Sequence, residues 1–397
     1  MNINTQNTNI ETILLKDLVQ QKRIEMKRGK VISKTTGQYP VYSSSVQNNG
    51  LMCYSDDYMF DEELISWSID GGGDFFYRPK HRYSLTNVSG YIRVLDKNIN
   101  CKYLYCILDL LHSKEHFDYT TKAHPSVICK MYKVPLPNIE VQKKIATILF
   151  TMEDLINEEQ STITKLKETK RSLLGLLFPS NNSNYPQLRF KNFTSPWEQC
   201  KLCKMFIGLQ NNTLSRANLS ENIGVAKNIH YGDILIKFGE ILEVNKVQLP
   251  FIVDRNVLSK YKTSYLQNGD IIIADTAEDA TVGKCSEIVG LNNEVVLSGL
   301  HTMPYRPLKK FASQYLGYYF NSATYHNQLV PLMQGIKVTS ISKSAIQDTK
   351  IVYPQSIDEQ SKIGLLFKHI DDIITLHQCK LKKYKEIKSA LLNKLLV

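Results

Sequence analysis

Few places in this sequence put reactive residue types at spacings that chemistry uses. Cys200-Lys201-Leu202-Cys203 is the one Cys-x-x-Cys pair. A structural zinc ion needs a second ligand pair at a matching distance, and the sequence offers none. Ser68-Ile69-Asp70-Gly71-Gly72-Gly73-Asp74 is glycine-rich like a phosphate cradle, but its carboxylates would repel phosphate, so a hairpin turn is expected there. Glu386-Ile387-Lys388 has the residue types of a nuclease core but lies in a charged helical stretch and reads as a solvated face. His230, His301 and His326 are expected to be structural or surface groups. The Asn/Asp-Pro-Pro-Tyr/Phe turn that holds an adenine amine for methylation is absent, as is the GxxxxGK[ST] phosphate loop of nucleotide-driven motors. No catalytic residue, metal ligand or cofactor is therefore assigned to this chain.

What remains is a set of hydrogen-bonding residues on segments expected to be loops. The formal charge is +11, which favours a polyanionic partner, because each Lys or Arg that neutralises a phosphate releases a counterion. The excess is uneven, with 23 basic and 20 acidic residues in 1–185 against 26 and 18 in 186–397. Lys and Arg suit phosphates; Arg, Lys, Asn, Gln, Ser and Thr suit base edges. On that basis the DNA-contact candidates in the first half are Lys34, Tyr42, Ser43, Ser44, Arg78, Lys80, Arg82, Lys122 and His124. Those in the second half are Thr276, Lys284, Gln334, Lys337, Ser340, Ser342 and Lys343.

The elements that must position these residues show themselves when the chain is compared with itself. At an offset of 218 residues, 142–178 and 360–396 share 13 of 37 positions without a gap, among them Gln142/Gln360, Asp154/Asp372 and Glu168/Glu386. Chance would give about two or three, so the segment is an internal duplication. In the first copy Ile145, Leu149, Met152, Ile156, Ile163, Leu166, Leu173 and Leu177 alternate steps of four and three with two polar interruptions. Ile363, Phe367, Ile370, Ile374, Leu381, Tyr384, Leu391 and Leu395 fill the same frame in the second. A repeat of 3.5 residues sustained this long predicts two helices that pair as an antiparallel coiled coil. In such a pair Glu159 is expected beside Lys388.

Prolines end a strand before each helix, in Lys133-Val134-Pro135-Leu136-Pro137 and Lys350-Ile351-Val352-Tyr353-Pro354. The expected organisation is a disordered tail (1–10), a globular domain (11–141), a long helix (142–179), a polar linker (180–194), a second globular domain (195–357) and a second helix (358–397). Short β-type runs such as Gly269–Ala274 and Gly90–Leu95 alternate with Leu/Tyr/Phe-rich helical stretches, so the fold class is mixed α/β. No run approaches the ~18 apolar residues of a membrane span. Eight irregularly spaced cysteines behind a polar N-terminus predict reduced thiols in a cytoplasm.

Pro186-Gln187-Leu188-Arg189-Phe190-Lys191-Asn192-Phe193-Thr194, followed by Trp197-Glu198-Gln199, resembles the segment that opens the second target-recognition domain of type I restriction–modification specificity subunits. Gly269–Thr276 with Val282-Gly283-Lys284, and Gln38–Ser44 with Asn49-Gly50, are similar to blocks inside such domains. No full Arg-Phe-Lys block precedes the first domain. The resemblance implies two domains that each read half of a split double-stranded DNA site, joined by helices that set the spacing. It also implies partners: two modification subunits that use S-adenosylmethionine to methylate adenine at N6, and a motor-nuclease subunit that uses ATP and magnesium. The competing expectations are a stand-alone DNA-modifying enzyme with unfamiliar motifs and a coiled-coil scaffold that binds only proteins.

Overall fold

The computed structural model describes residues 11–32, 36–45, 47–70, 73–115, 123–180, 183–279, 281–335 and 337–395, without the Leu395 side chain. It divides into two compact units, Met1–Gln160 with Cys379–Val397 and Ser161–Gln378. Two helices of 39 residues, Ile139–Leu177 and Ile357–Leu395, contribute one part of each helix to each unit. At ~1.5 Å per residue such a helix is about 58 Å long.

In the first unit a six-stranded sheet runs in the order Ile24–Arg28, Ser89–Val94, Phe60–Ser68, Phe75–Leu85, Tyr39–Tyr42, Leu51–Ser55. Leu104, Ile107 and Leu108 form the apolar stripe of the Cys101–His112 helix and pack with Trp67, Phe75 and Ile92 in one core. That helix starts where the Asn100 side chain accepts a hydrogen bond from the Tyr103 N–H at 2.9 Å. In the second unit a five-stranded sheet orders Phe206–Gly208, Thr302–Pro307, Ile271–Ala274, Cys285–Val289, Ile241–Glu243. The unbroken apolar run Ile271–Ala274 is its buried central strand. A four-stranded sheet (Leu219–Ser220, Phe251–Ile252, Ala226–Ile229, Val296–Ser298) adjoins it in sequence.

Each unit is closed by the same device. The strand that precedes a long helix pairs antiparallel with the strand that opens the unit: Lys133–Leu136 with Glu11–Leu14, and Lys350–Tyr353 with Glu198–Lys201. The duplicated glutamines sit just beyond. Buried Gln142 accepts from the Asn100 N–H (2.9 Å) and donates to the carbonyls of Asn98 (3.0 Å) and Pro137 (2.7 Å). Buried Gln360 accepts from the Ala312 N–H (2.9 Å) and donates to the Pro354 carbonyl (2.8 Å). Each amide thus ties the helix entry to the proline ahead of it and to the globular part of its own unit. Gln142→Ala and Gln360→Ala are each expected to destabilise their unit by about 2–4 kcal/mol, because buried partners lose their bonds. Denaturant titration measures this, with Lys143→Ala as the neutral control, since Lys143 is exposed.

The helices run antiparallel within both units. In the first, Lys388 pairs with Glu153, and Lys380 Nζ lies 3.2 Å from Glu159. In the second, Lys170 Nζ lies 2.7 Å from Asp371. Glu153 and Asp371 are 218 residues apart, as are Lys170 and Lys388. The repeat therefore uses the same acid–lysine pair twice, with the roles of the helices exchanged. The expected neighbour of Glu159 is corrected: it meets Lys380, because the register places Lys388 beside Glu153, nearly two turns away.

The seam residues divide between jobs. Ile145 and Leu149 belong to the first core, with Leu391 packed against it, while Leu177, Ile363 and Phe367 belong to the second, with Leu173 and Ile370 against it. Ile156, Ile163 and Ile374 are buried, and Met152, Leu166, Leu381 and Tyr384 are half-buried. Leu395 has no described side chain.

Candidate nucleic-acid interface

In the second unit the candidates converge on a small two-stranded arm. Thr276–Ala277 pairs antiparallel with Thr339–Ser340, setting Thr276 opposite Ser340. Gln334 and Ser340 exchange backbone hydrogen bonds at 3.0 and 2.8 Å, which closes the loop carrying exposed Lys337. The Ile341 N–H donates to the Asp275 carbonyl (2.9 Å), so the arm is tied to the end of the central strand. Ser342 caps the Lys343–Gln347 helix by accepting from the Ala345 N–H at 3.2 Å. Lys343 donates to Asn211 Oδ1 at 2.9 Å, and partial burial pushes its ammonium pKa down. Lys284 is half-buried and donates to the Leu235 carbonyl at 3.0 Å, with burial again lowering its pKa. Its charge therefore points into the unit rather than outward.

The arm brings in a residue assigned above to a bland role. His301 stands in the left-handed region (φ 55°) on the turn between Val296–Ser298 and Thr302–Pro307. Its Nδ1 lies 3.2 Å from Asp275 Oδ1 and 3.4 Å from the Thr276 hydroxyl, which itself donates to Asp275 at 2.7 Å. Asn211 was also missed. Neither carries a local signal: only the pairing of distant segments makes them neighbours of Thr276 and Lys343. A cavity of about 400 Å³ next to the arm is lined by Tyr231, Thr276, Glu278, Asp279 and Val338. Its two carboxylates disfavour phosphate, leaving the Lys337–Lys343 side as the basic flank.

In the first unit the candidates lie along Phe75–Leu85 and its neighbour Tyr39–Tyr42. Lys80 and Arg82 are exposed. Arg82 lies over the Tyr58 ring at 5.0 Å and donates to the Tyr39 hydroxyl at 3.3 Å. The Tyr42 hydroxyl contacts His81 Nε2 (3.2 Å), Ser43 accepts from the Thr86 hydroxyl (3.1 Å), and Ser44 is half-buried. His124 occupies the N-cap position of the Pro125–Met131 helix, with no cap bond from its ring. Lys34 and Lys122 lie outside the described residues.

Arg78 is the candidate that the fold takes away from the surface. It is only 1% exposed, with Nε donating to Ser66 Oγ (2.9 Å) and Nη1 to the Asn49 carbonyl (2.8 Å). Its guanidinium lies 3.9 Å from the Tyr42 ring centroid. The cause is one extra residue in its strand. Glu62 pairs with His81 but Leu64 pairs with Arg78, a bulge that inverts the side-chain alternation between Arg78 and Lys80. Burial pushes the guanidinium down to about 10, still protonated at neutral pH. Among the described residues Arg78 makes no ion pair.

The block Arg189–Trp197 has a structural job. Arg189 grips buried Glu359 through two bonds of 2.7 and 2.9 Å, and the indole of buried Trp197 donates to the same carboxylate at 3.3 Å. The position equivalent to Glu359 in the first copy is the exposed Val141, so the half that lacks the arginine block also lacks its carboxylate.

Among the described residues no helix is long and apolar enough to cross a membrane, and no three His, Cys, Asp or Glu side chains are grouped to hold a metal. What the two surfaces present is hydrogen-bond donors and cations on edges and turns. Comparison with known proteins agrees with that character. The family model for the type I restriction modification DNA specificity domain matches twice, over 7–168 and 195–388. A type I specificity subunit sequence of Mycoplasma pneumoniae, S.MpnORF285P, is 29% identical over 199 residues, which are 49% of this chain. This chain spans 60% of that relative's length. The MjaVIII specificity subunit of Methanocaldococcus jannaschii is 23% identical over 404 residues, covering 97% of this chain and 92% of its own. In fold, the chain is similar to the crystal structure of the S subunit from M. genitalium, with a TM-score of 0.61 at 15% identity, covering 100% of this chain and 98% of that one. With its two matched regions, this chain belongs to the family of type I restriction–modification DNA specificity domains.

Proposed function

We propose that the chain is the sequence-reading subunit of a type I restriction–modification complex and performs no chemistry itself. Each globular unit reads one part of a bipartite double-stranded DNA site. The paired helices set the spacing and dock two adenine-N6 methyltransferase subunits, so that methylation is directed to the site, and restriction when a motor-nuclease subunit joins. S-adenosylmethionine, ATP and magnesium belong to those partners, and the assembly works in the cytoplasm. Lys and Arg anchor the backbone, while side chains on the turns address base edges.

The observation that carries this proposal is the repeated acid–lysine pair, Glu153–Lys388 and Lys170–Asp371, beneath two surfaces that share little sequence. One helix contact preserved twice, supporting two unlike readers, suits a split and asymmetric target. Gel shifts over a salt series test it. Replacing Lys337 and Lys343 with alanine is expected to lower the slope of log affinity against log salt by about two and to leave melting unchanged. An unaltered slope would remove the arm from the interface. Methyl transfer by the purified chain alone, given DNA and S-adenosylmethionine, would favour an enzyme instead.

A further inference from the structure

The buried charge of Arg78 supports one loop. Ser43 and Gly50 close a turn through the Ser43 N–H to Gly50 carbonyl bond (2.8 Å), and the turn carries Gln47, Asn48 and Asn49, all exposed. Asn48 (φ 49°) and Asn49 (φ 53°) are both left-handed, a conformation that asparagine tolerates better than other residues with a side chain. Two such residues in succession rarely persist unless the surroundings hold them. Here the holder is Arg78, which donates to the Asn49 carbonyl from a site where it stacks on Tyr42 and bonds Ser66. Gly50 (φ 79°) completes the fit: a Cβ there would lie 3.0 Å from the Ser43 carbonyl and 3.2 Å from Arg78 Nη2.

The result is three exposed carboxamide side chains on a turn fixed from behind by a cation with no carboxylate partner among the described residues. A carboxamide presents one donor and one acceptor side by side, which matches the N6–H and N7 edge of adenine in a major groove. The uncompensated guanidinium favours approach of a polyanion to the same turn. We propose that the Gln47-Asn48-Asn49 turn reads base edges, adenine foremost, in the part of the site addressed by the first unit, and that Arg78 is the positioning residue that sets its geometry. This rests on the chain being a DNA reader, as proposed above.

The test is selection of binding sites from a randomised duplex library by the full-length chain co-purified with its modification subunits. Asn48→Gly combined with Asn49→Gly keeps the left-handed backbone at no steric cost while removing two carboxamides. The expected result is a loss of discrimination of about tenfold or more at one or two positions in one part of the motif, with the other part unchanged. Arg78→Lys keeps the charge but loses the two-oxygen grip, and is expected to blur the same positions while circular dichroism and melting stay near wild type. If the glycine variant enriches the wild-type motif at every position, the turn is an ordinary surface feature and the assignment is overturned. If the wild-type chain enriches no motif, the broader proposal of DNA reading falls, and this assignment with it.

Discussion

A chain carrying Ile156→Asp together with Ile374→Asp is expected to lose its cooperative melt under conditions where the wild type is folded. Both isoleucines are buried, one in each unit, and the ion pairs on either side fix what faces them. Ile156 lies midway between Glu153 and Glu159, whose partners Lys388 and Lys380 bracket Tyr384. In the second unit the Lys170–Asp371 pair sets Ile374 one turn away, level with Leu166. A carboxylate at either position gives up apolar burial and enters a seam with no cation in place to receive it, costing about 3 kcal/mol or more per site. Two such losses rival the ~5–15 kcal/mol of a typical domain. The neighbouring Ile373 is 43% exposed, so Ile373→Asp should stay within about 0.5 kcal/mol of wild type. Calorimetry on the three proteins decides it. A double variant that melts like wild type would mean the helices contribute little to either unit.

That seam was legible because its period is written locally, residue after residue. The register was not. It depends on where two segments 218 residues apart begin to overlap, and Glu159 meets Lys380 instead of Lys388 for that reason alone. Arg78 shows the same boundary at the scale of one strand. Arg78, Lys80 and Arg82 alternate as if they shared a face, and a single bulged residue sends the first inward. Gln142 and Gln360 were visible as an identity, but their clamp needs Asn100 and Ala312, which no spacing ties to them. Likewise the arm candidates Thr276 and Ser340 were correctly placed on turns, whereas His301 enters their neighbourhood only through the fold.

The repeated acid–lysine pair permits a comparison in which sequence is held nearly constant and burial varies. Lys170 is 12% exposed in its side chain and serves two carboxylates, Glu240 at 2.8 Å and Asp371 at 2.7 Å. The Tyr318 hydroxyl also donates to Asp371, at 2.8 Å. Its counterpart Lys388, 29% exposed, pairs with Glu153, which is itself 46% exposed. Lys170→Met is therefore expected to cost about 3–5 kcal/mol, because it strands two carboxylates in a poorly solvated site. Lys388→Met, at a better-hydrated pair, should cost about 1 kcal/mol or less. The pH dependence separates electrostatics from lost packing. Burial already holds the Asp371 carboxyl above its usual pKa, outweighing Lys170. Removing that cation raises it further, so the folded state binds a proton that the unfolded chain has already released. Stability of Lys170→Met must then fall as pH rises above the ordinary carboxylate range and recover as the solution is acidified towards it. Urea titrations between about pH 5 and pH 8 read the slope directly. A loss that is the same at every pH would assign the effect to packing against Tyr318, over whose ring the Lys170 ammonium lies at 5.2 Å, and not to the buried charges.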